Sequence, residues 1–340
     1  MIYWEIEMPL ACGYPLFGWS TFIFLGGIMD KLYFIINPLA ASGRAAVVWR
    51  DCKHYLDRHH MEYEAFITSY AGHAAELAAD LTDKEERVIE KTIVVIGGDG
   101  TLGDVISGIH VSAEVTLAYL PGGSGNDFAR SNHLAVRPVK RLKQILRRKR
   151  VVWMDYGIIS YIQGELHQRR FAVSCGVGMD AAICRGIQNS PLKNFFNRIH
   201  LGRFVYIGVG LKHIFCEKPY SARLVVDGVK KIDLDSVRFI SIHVHPSEGG
   251  GFRMAPHAEC QDGQFDLCVV SCKSRLHLIR IMLAALVGRH IRMKGVHIIQ
   301  CVTAAFRTDR PLCVHTDGED CGHLDDFTVL CERRKLKMIL

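Results

Sequence analysis

Buried-type apolar runs alternate with short glycine-rich or polar turns through the first part of the chain. The clearest example spans residues 93–109, where a run of isoleucines and valines breaks at Gly97-Gly98-Asp99-Gly100 and then resumes with a period near that of a helix. This pattern predicts a central strand, a tight turn and a helix. Further strands are predicted at 31–36, 62–67 and 116–120. Strands alternating with helices up to about residue 150 predict a parallel sheet covered on both faces.

After residue 151 the apolar segments become shorter and alternate with polar positions. Asp227-Gly228 lies between two of them and is typical of a hairpin turn. We therefore expect a second, antiparallel and largely β domain at 151–324, and a nucleotide-binding α/β domain at 31–150 joined by a returning segment at 325–340. The predicted strands are 156–162, 170–175, 222–226, 237–244, 265–271, 296–302, 312–316 and the returning 327–333, and the predicted helices are 179–188, 192–214 and 276–288.

Residues 1–30 form an extension before the first predicted strand. The stretch from Met8 to Met29 has no charge, but it contains two prolines and four glycines and is not preceded by a basic region. These features are poor for a signal peptide or a spanning helix. We favour a start codon assigned too far upstream, and a weak membrane anchor is the alternative.

Several polar residues are predicted to follow strand ends, where open α/β sheets bind their ligands. They are Asn37, Thr68, Asp99, Ser124, Asn126 and Asp127. Glycine turns that open helices form anion cradles, so phosphate is the expected ligand. Asp99 would repel bare phosphate unless it holds a metal, accepts a proton or anchors another group, and simple stabilisation of the turn is the alternative.

Composition limits the classes of function. The chain has 340 residues, 49% of them hydrophobic, and a net charge of +7, which suits a membrane surface, a nucleotide or a nucleic acid. Its 12 cysteines show no paired spacing, as in reduced cytosolic proteins. Residues 140–150 carry seven basic side chains, which indicates either a solvated helix or a membrane-facing patch. Nucleic-acid binding is disfavoured because aromatic residues are not interleaved with the basic ones.

The motifs, taken together, resemble the diacylglycerol kinase catalytic-domain family, and most closely its soluble bacterial lipid kinases; sphingosine and ceramide kinases are relatives. The resemblance covers about residues 31–335. The motifs that carry it are Asn37-Pro38, GGDGT at 97–101, GGSGNDFAR at 122–130, CGVGMDA at 175–181, GGGFRMAPHAECQDGQFDL at 249–267 and HTDGE at 315–319. GGDGT alone is shared with NAD kinases and phosphofructokinases, whereas the whole set is specific.

The resemblance implies a Rossmann-like three-layer domain and a β-sandwich domain with ATP in the cleft between them. Matching positions that would contact ATP are Asn37, Thr68, Gly97, Gly98, Asp99, Gly100, Thr101, Gly103, Ser124 and Asn126. Asp99, Asp127 and Asp155 match residues that organise the catalytic Mg²⁺, and Asp262 with the carbonyls of Phe265 and Leu267 matches a second, structural Mg²⁺ site. Asp317 and Glu319 match the pair that activates the substrate hydroxyl, with Glu319 as proton acceptor.

Three positions depart from the family pattern. Ala41 stands where glycine is common, Gly103 replaces asparagine and Ser124 replaces threonine. The resemblance implies a cytoplasmic, peripherally membrane-associated lipid kinase that uses Mg-ATP, with diacylglycerol as the favoured substrate. Another lipid alcohol, such as a sphingoid base or phosphatidylglycerol, and a nucleotide-binding regulator without turnover stay as alternatives. The oligomeric state, a homodimer included, is open.

Overall fold

The computed structural model describes residues 31–83, 90–110, 112–188, 210 and 212–340. The extension at 1–30 and most of the helix predicted at 192–214 lie outside the described residues. The fold is mixed α/β with a large, antiparallel, β-rich C-terminal part.

The N-terminal part alternates strands and helices in the predicted order. Its elements are β1 (Leu32–Ile36), a 3₁₀ turn (Ala40–Gly43), α1 (Arg44–Arg58), β2 (Tyr63–Ile67), α2 (His73–Leu81), β3 (Lys91–Gly97), α3 (Asp99–Gly108), β4 (Val115–Pro121), α4 (Asp127–Ser131) and α5 (Pro138–Leu146). The strands pair in parallel in the order β4-β3-β1-β2. All their carboxyl ends therefore lie at one edge of the sheet.

Alternate residues of these strands pack into two separate cores. Val95 faces the core beneath α2 and α3, and its neighbour Ile96 faces the core beneath α1 and α5. Both side chains are completely buried. Burial on both faces explains why β3 is an unbroken apolar run rather than an alternating one.

The C-terminal part consists of long antiparallel strands with helices between some of them. Its elements are β5 (Val151–Gln163), β6 (Glu165–Phe171), β7 (Ser174–Gly178), α6 (Met179–Gln188), β8 (Tyr220–Val226), β9 (Lys230–His243), β10 (Phe265–Ser271), α7 (Arg275–Ala285), a 3₁₀ turn (His290–Arg292), β11 (Val296–Cys301), β12 (Thr303–Thr316) and β13 (Glu319–Ile339). The hairpin predicted at Asp227-Gly228 joins β8 and β9.

Several strand boundaries differ from the prediction, and β9, for example, begins at Lys230 rather than at 237. The segment predicted at 170–175 belongs to two strands, because the extended structure is interrupted at Ala172-Val173 between β6 and β7. β12 begins at Thr303 rather than at 312. The returning segment predicted at 327–333 is part of a 21-residue strand, β13. Polar positions on the exposed face of β12 and β13 hid their length from a search for apolar runs.

β13 joins the two parts of the molecule. It pairs antiparallel with β12 and β5, and its end, Lys337–Ile339, pairs in parallel with β4. Arg141 of the basic helix α5 fastens this junction: Nε donates to Tyr119 O (3.0 Å) and Nη2 to Ile339 O (2.6 Å). Burial lowers the pKa of Arg141 to about 10. One of the seven basic residues at 140–150 is therefore structural.

Within the described ranges, no helix is both long and apolar enough to cross a lipid bilayer. The cysteines in these ranges are all free thiols, as the sequence predicts.

Candidate active site

A cavity of about 460 Å³ lies where the carboxyl edge of the parallel sheet meets the C-terminal part. Both parts line it. The N-terminal part contributes Asn37, Leu39, Ala40, Ala41, Ser42, Asp99, Gly100, Thr101, Ser124, Gly125 and Asp127, and the C-terminal part contributes Val173, Ser174, Asp180, Cys184, Ile187, Glu248, Gly249, His315, Asp317, Gly318 and Glu319. Four carboxylates singled out in the sequence, Asp99, Asp127, Asp317 and Glu319, thus meet in one cavity.

Asp99 binds the start of α4. Its Oδ2 accepts from Asp127 N (2.9 Å) and its Oδ1 from Phe128 N (3.2 Å). These amides belong to the first turn of a helix and have no partner within it. Asp99 therefore fixes the position of Asp127, which is the anchoring role that the sequence left open for it.

Asp127 connects α4 to the C-terminal part. Its Oδ2 accepts from Gly250 N (2.8 Å), whereas its buried Oδ1 has no hydrogen-bond partner and lies 3.7 Å from Arg130 Nη1. A buried carboxylate oxygen without a partner is costly, so this atom is suited to a cation. Oxygen ligands are those that Mg²⁺ prefers.

The glycine turns after β3 and β4 pack backbone against backbone. Gly122 N donates to Gly97 O (2.8 Å), and a Cβ on Gly123 would overlap the backbone of Gly98. Asn126, with φ 52°, closes the second turn: its Oδ1 accepts from Gly123 N and its Nδ2 donates to Gly123 O, both at 2.8 Å. This close approach places the two turns directly behind the cavity wall at Gly100, Ser124 and Gly125. Glycine turns that open helices suit phosphate.

The first loop of the N-terminal part holds two residues in the left-handed region. Ala41 (φ 48°) and Ser42 (φ 56°) precede Gly43 (φ 96°) at the start of α1. The left-handed backbone conformation costs energy for residues that have a Cβ, but glycine adopts it without this cost. The departure at Ala41 therefore puts backbone strain into the cavity wall. Asn37, at the base of this loop, donates from Nδ2 to Thr101 Oγ1 (3.1 Å).

The turn between β12 and β13 carries Asp317 and Glu319. Asp317 adopts φ 50°, and its carboxylate accepts from the amides of Ala172 (2.7 Å), Val173 (2.8 Å) and Ser174 (3.0 Å). The break between β6 and β7 frees these amides. Asp317 thus organises the turn, and Glu319 projects from it.

Two glycines of α3 admit the acidic turn. A Cβ on Gly100 would lie 2.6 Å from Glu319 Oε1 and 2.8 Å from its Cγ, and one on Gly103 would lie 2.8 Å from Asp317 Oδ2. The departure at Gly103 therefore has a structural reason: a side chain there would collide with Asp317.

Burial raises the pKa values of three carboxylates in the cavity, and at Asp99 neighbouring carboxylates add to the effect. Burial, together with the charges of Asp127 and Asp317, raises the pKa of Asp99 to about 7, against the effect of its two amide donors. Burial raises the pKa of Asp317 to about 6, although three amides favour its charged form. Burial also raises the pKa of Asp127. A bound cation would reverse these shifts.

Sequence reasoning assigned no role to four polar residues that line the cavity. Asp180 Oδ2 accepts from His315 Nε2 (3.1 Å), and Cys184 lies beside them; the ligand atoms of these three residues are within 4.8 Å of one another. Gly318 N donates to His315 Nδ1 (3.2 Å), so the proton of a neutral His315 is on Nε2. That tautomer links Asp180 to the acidic turn and disfavours a metal on Nε2. The fourth residue, Glu248, is buried, and its Oε1 lies 3.5 Å from Nε2 of the buried His243. Asp180 lies in the CGVGMDA motif and His315 in the HTDGE motif, and Glu248 directly precedes the motif that begins with GGGF. Their position in or beside these motifs is the sequence feature that could have identified them as cavity residues.

The structure does not bring every predicted residue to the cavity. Asn37, Asp99, Gly100, Thr101, Ser124, Asp127, Asp317 and Glu319 line it; Gly97, Gly98, Gly103 and Asn126 support it from behind. Thr68 does not line it, and its amide donates to Ile36 O (2.9 Å).

Asp155 lies in a second acidic cluster rather than beside Asp99 and Asp127. Its carboxylate accepts from Gly263 N (2.7 Å) and Arg334 N (2.5 Å), because its position in β5 faces the loop before β10 and the bulge in β13. Asp262 Oδ1 accepts from Gln264 N (2.9 Å) in that loop. Phe265 and Leu267 follow in β10 as buried core residues.

Comparisons with known proteins cover both parts of the chain. Residues 31–157 match the diacylglycerol kinase catalytic domain, and residues 173–339 match the YegS C-terminal NAD kinase beta sandwich-like domain. YtlR of Bacillus subtilis is 27% identical over 86% of this chain and 94% of its own. The diacylglycerol kinase of Mycobacterium tuberculosis (strain ATCC 25618 / H37Rv) is 25% identical over 86% of this chain and 89% of its own. The crystal structure of a diacylglycerol kinase from Bacillus anthracis str. Sterne superposes with a TM-score of 0.61 at 17% identity and covers 91% of this chain and 96% of its own, which is similarity of fold.

Proposed function

Because the chain belongs to the diacylglycerol kinase catalytic-domain family of lipid kinases, we propose that it transfers the γ-phosphate of ATP to a lipid hydroxyl, and that diacylglycerol is the acceptor. The observation that carries this proposal is the meeting of Asp99, Asp127, Asp317 and Glu319 in one cavity from both parts of the fold. The enzyme would work in the cytoplasm at a membrane surface.

The N-terminal part would bind the nucleotide. The closely packed turns at Gly97-Gly98 and Gly122-Gly123, where a Cβ on Gly97, Gly122 or Gly123 would overlap neighbouring atoms, support a phosphate site. Asp99 and Asp127 would hold Mg²⁺, and the supporting observation is that the buried Oδ1 of Asp127 has no hydrogen-bond partner. When bound, the ion neutralises charge that develops on the phosphoryl oxygens. Asp262 and the carbonyls of Phe265 and Leu267 would form the second Mg²⁺ site, with Asp155 holding its loop in place.

The C-terminal part would supply the base. Glu319 would accept the proton of the lipid hydroxyl as that oxygen attacks the γ-phosphorus, the bond from phosphorus to the bridging oxygen breaks and ADP leaves. Asp317, held by three backbone amides, fixes the turn. A positioned general base contributes about 10² to 10⁴ in rate. Asp180, Cys184 and Ile187 of α6 line the same cavity and would contact the acceptor.

Incubation of the protein with γ-labelled ATP, Mg²⁺ and extracted lipids tests the proposal. Labelled phosphatidic acid is the expected product, and Glu319→Gln should abolish it without changing the melting temperature. Asp320→Asn is the matched control, because Asp320 lies in the same turn but is exposed. A labelled product formed from a sphingoid base or from phosphatidylglycerol would show that this lipid, rather than diacylglycerol, is the acceptor. ATP binding without any labelled lipid would instead support the regulator.

A further inference from the structure

The outer face of α7 combines exposed leucines with arginines. Leu276, Leu283 and the following Val287 are 73%, 61% and 60% exposed, at positions where large aliphatic residues are usually buried. Their spacing, with Arg280 between them, places them on one side of the helix, opposite the buried Leu278 and Ile281. Three aliphatic side chains in one exposed stripe indicate an interaction surface.

The surroundings of this stripe are rich in basic residues. The segment 268–308 contains no aspartate or glutamate, and six basic residues lie between 273 and 294. The loop before β10 adds to them, because Arg253 N donates to Ala285 O (2.9 Å). Arg253 and His257 consequently join Arg289 and Arg292 around a cavity of about 750 Å³ beside Val287. Glu217 lies beside Lys273 near the start of α7.

This surface is connected to the candidate active site by one short loop. Glu248 and Gly249 line the catalytic cavity, and Gly250 binds Asp127. Arg253 and His257, a few residues later, line the basic cavity. A surface bound at α7 would therefore lie close to the site where a lipid acceptor enters.

We propose that the docking face, formed by the stripe Leu276, Leu283 and Val287 with Arg280, Arg289 and Arg292, binds an anionic lipid bilayer. The aliphatic side chains insert at the interface, and the arginines bind phosphate headgroups, with the cavity between Arg253 and Arg292 taking one of them. Charge complementarity favours a bilayer over a second copy of this chain, because two such basic faces would repel each other. The proposal rests on the proposed lipid kinase function, and it replaces the basic helix at 140–150 as the membrane-facing patch.

Vesicle sedimentation tests the proposal directly. The protein should bind vesicles of phosphatidylcholine with added phosphatidylglycerol much more tightly than pure phosphatidylcholine vesicles. Arg289→Glu with Arg292→Glu should weaken binding to the anionic vesicles at least about tenfold, given the contribution of each basic residue near such a surface. Leu276→Ser with Leu283→Ser should weaken binding but keep its salt dependence. The matched control, Lys140→Glu with Lys143→Glu on α5, makes the same charge change and should leave binding within about twofold.

Two further measurements separate the outcomes. Turnover of a water-soluble short-chain diacylglycerol should be unchanged in the docking-face variants. If the kinase proposal itself were wrong, neither the wild type nor any variant would turn over this lipid. The assay therefore distinguishes loss of vesicle binding from failure of the kinase proposal. Thermal melting excludes misfolding. The proposal is overturned if wild-type protein ignores anionic vesicles, or if the arginine variants bind them normally. It is also overturned if Leu283→Glu converts a dimer to a monomer by light scattering without affecting vesicle binding.

Discussion

A methyl group at Gly100 should disable catalysis without weakening the fold. Gly100 lies in the first turn of α3, and the added Cβ would lie 2.6 Å from Glu319 Oε1 and 2.8 Å from Glu319 Cγ. Carbon atoms pack at about 3.5–4.0 Å, so the carboxylate must move by about 1 Å. Glu319 can do so by changing rotamer, because only its side chain is touched.

The two effects of Gly100→Ala have opposite signs. Alanine in place of glycine stabilises a helix by about 0.5–1 kcal/mol. Displacement of a catalytic group by about 1 Å costs about 10² in rate. We therefore expect the melting temperature to stay constant or rise while kcat falls about 100-fold. The fall in kcat should exceed any change in KM for ATP, because the nearest atoms to the added Cβ belong to Glu319.

Gly108→Ala is the matched control from the same helix. Its Cβ would overlap the backbone carbonyl of Ala75, which cannot move away as a side chain can. This variant should lose stability by about 1–3 kcal/mol while its folded fraction keeps a normal kcat. The assay is labelled-phosphate transfer with kcat and KM resolved, alongside thermal melting. The reasoning is refuted if Gly100→Ala keeps full kcat while Glu319→Gln is inactive, because Glu319 would then act from another position.

Three further predictions concern the cavity walls. Ala41→Gly should raise the free energy of unfolding by about 1 kcal/mol in denaturant titrations by relieving its positive φ, whereas Ala40→Gly next to it should not. Asp317→Asn should lower the free energy of unfolding by about 2 kcal/mol, because the NH₂ group of the new side chain would face a backbone N–H that now donates to Asp317. The control Asp320→Asn should change the free energy of unfolding by less than about 0.5 kcal/mol. The pKa of Asp99 is raised from 3.8 to about 7 on folding, so the stability that this group contributes is lost as the pH rises from 3.8 through 7. Without Mg²⁺ the melting temperature should therefore be lower at pH 8 than at pH 6, and Asp99→Asn should reduce the difference. Mg²⁺ should raise the melting temperature more at pH 8 than at pH 6, and an equal rise at both pH values would contradict the linkage.

The sequence predicts those features that depend on neighbouring residues. The order of strands, turns and helices up to α5 follows from apolar periodicity, and the convergence of Asn37, Asp99 and Asp127 follows from the geometry of parallel strands. The full length of β13 and the role of Arg141 could not be predicted, because both depend on partners far away in the chain. The separation of Asp155 from Asp99 has the same cause: a motif places a residue along the chain but not across the fold.

The position of β13 has a consequence for the order of folding. β4 is an exposed edge until residues 337–339 pair with it, and those residues follow β5 to β12 along the chain. The sheet beside the phosphate cradle can therefore be completed only after β5 to β12 have been synthesised, so its closure involves contacts of very large sequence separation, which form slowly. Protein shortened by a few C-terminal residues should consequently accumulate with an open sheet edge, a known route to aggregation.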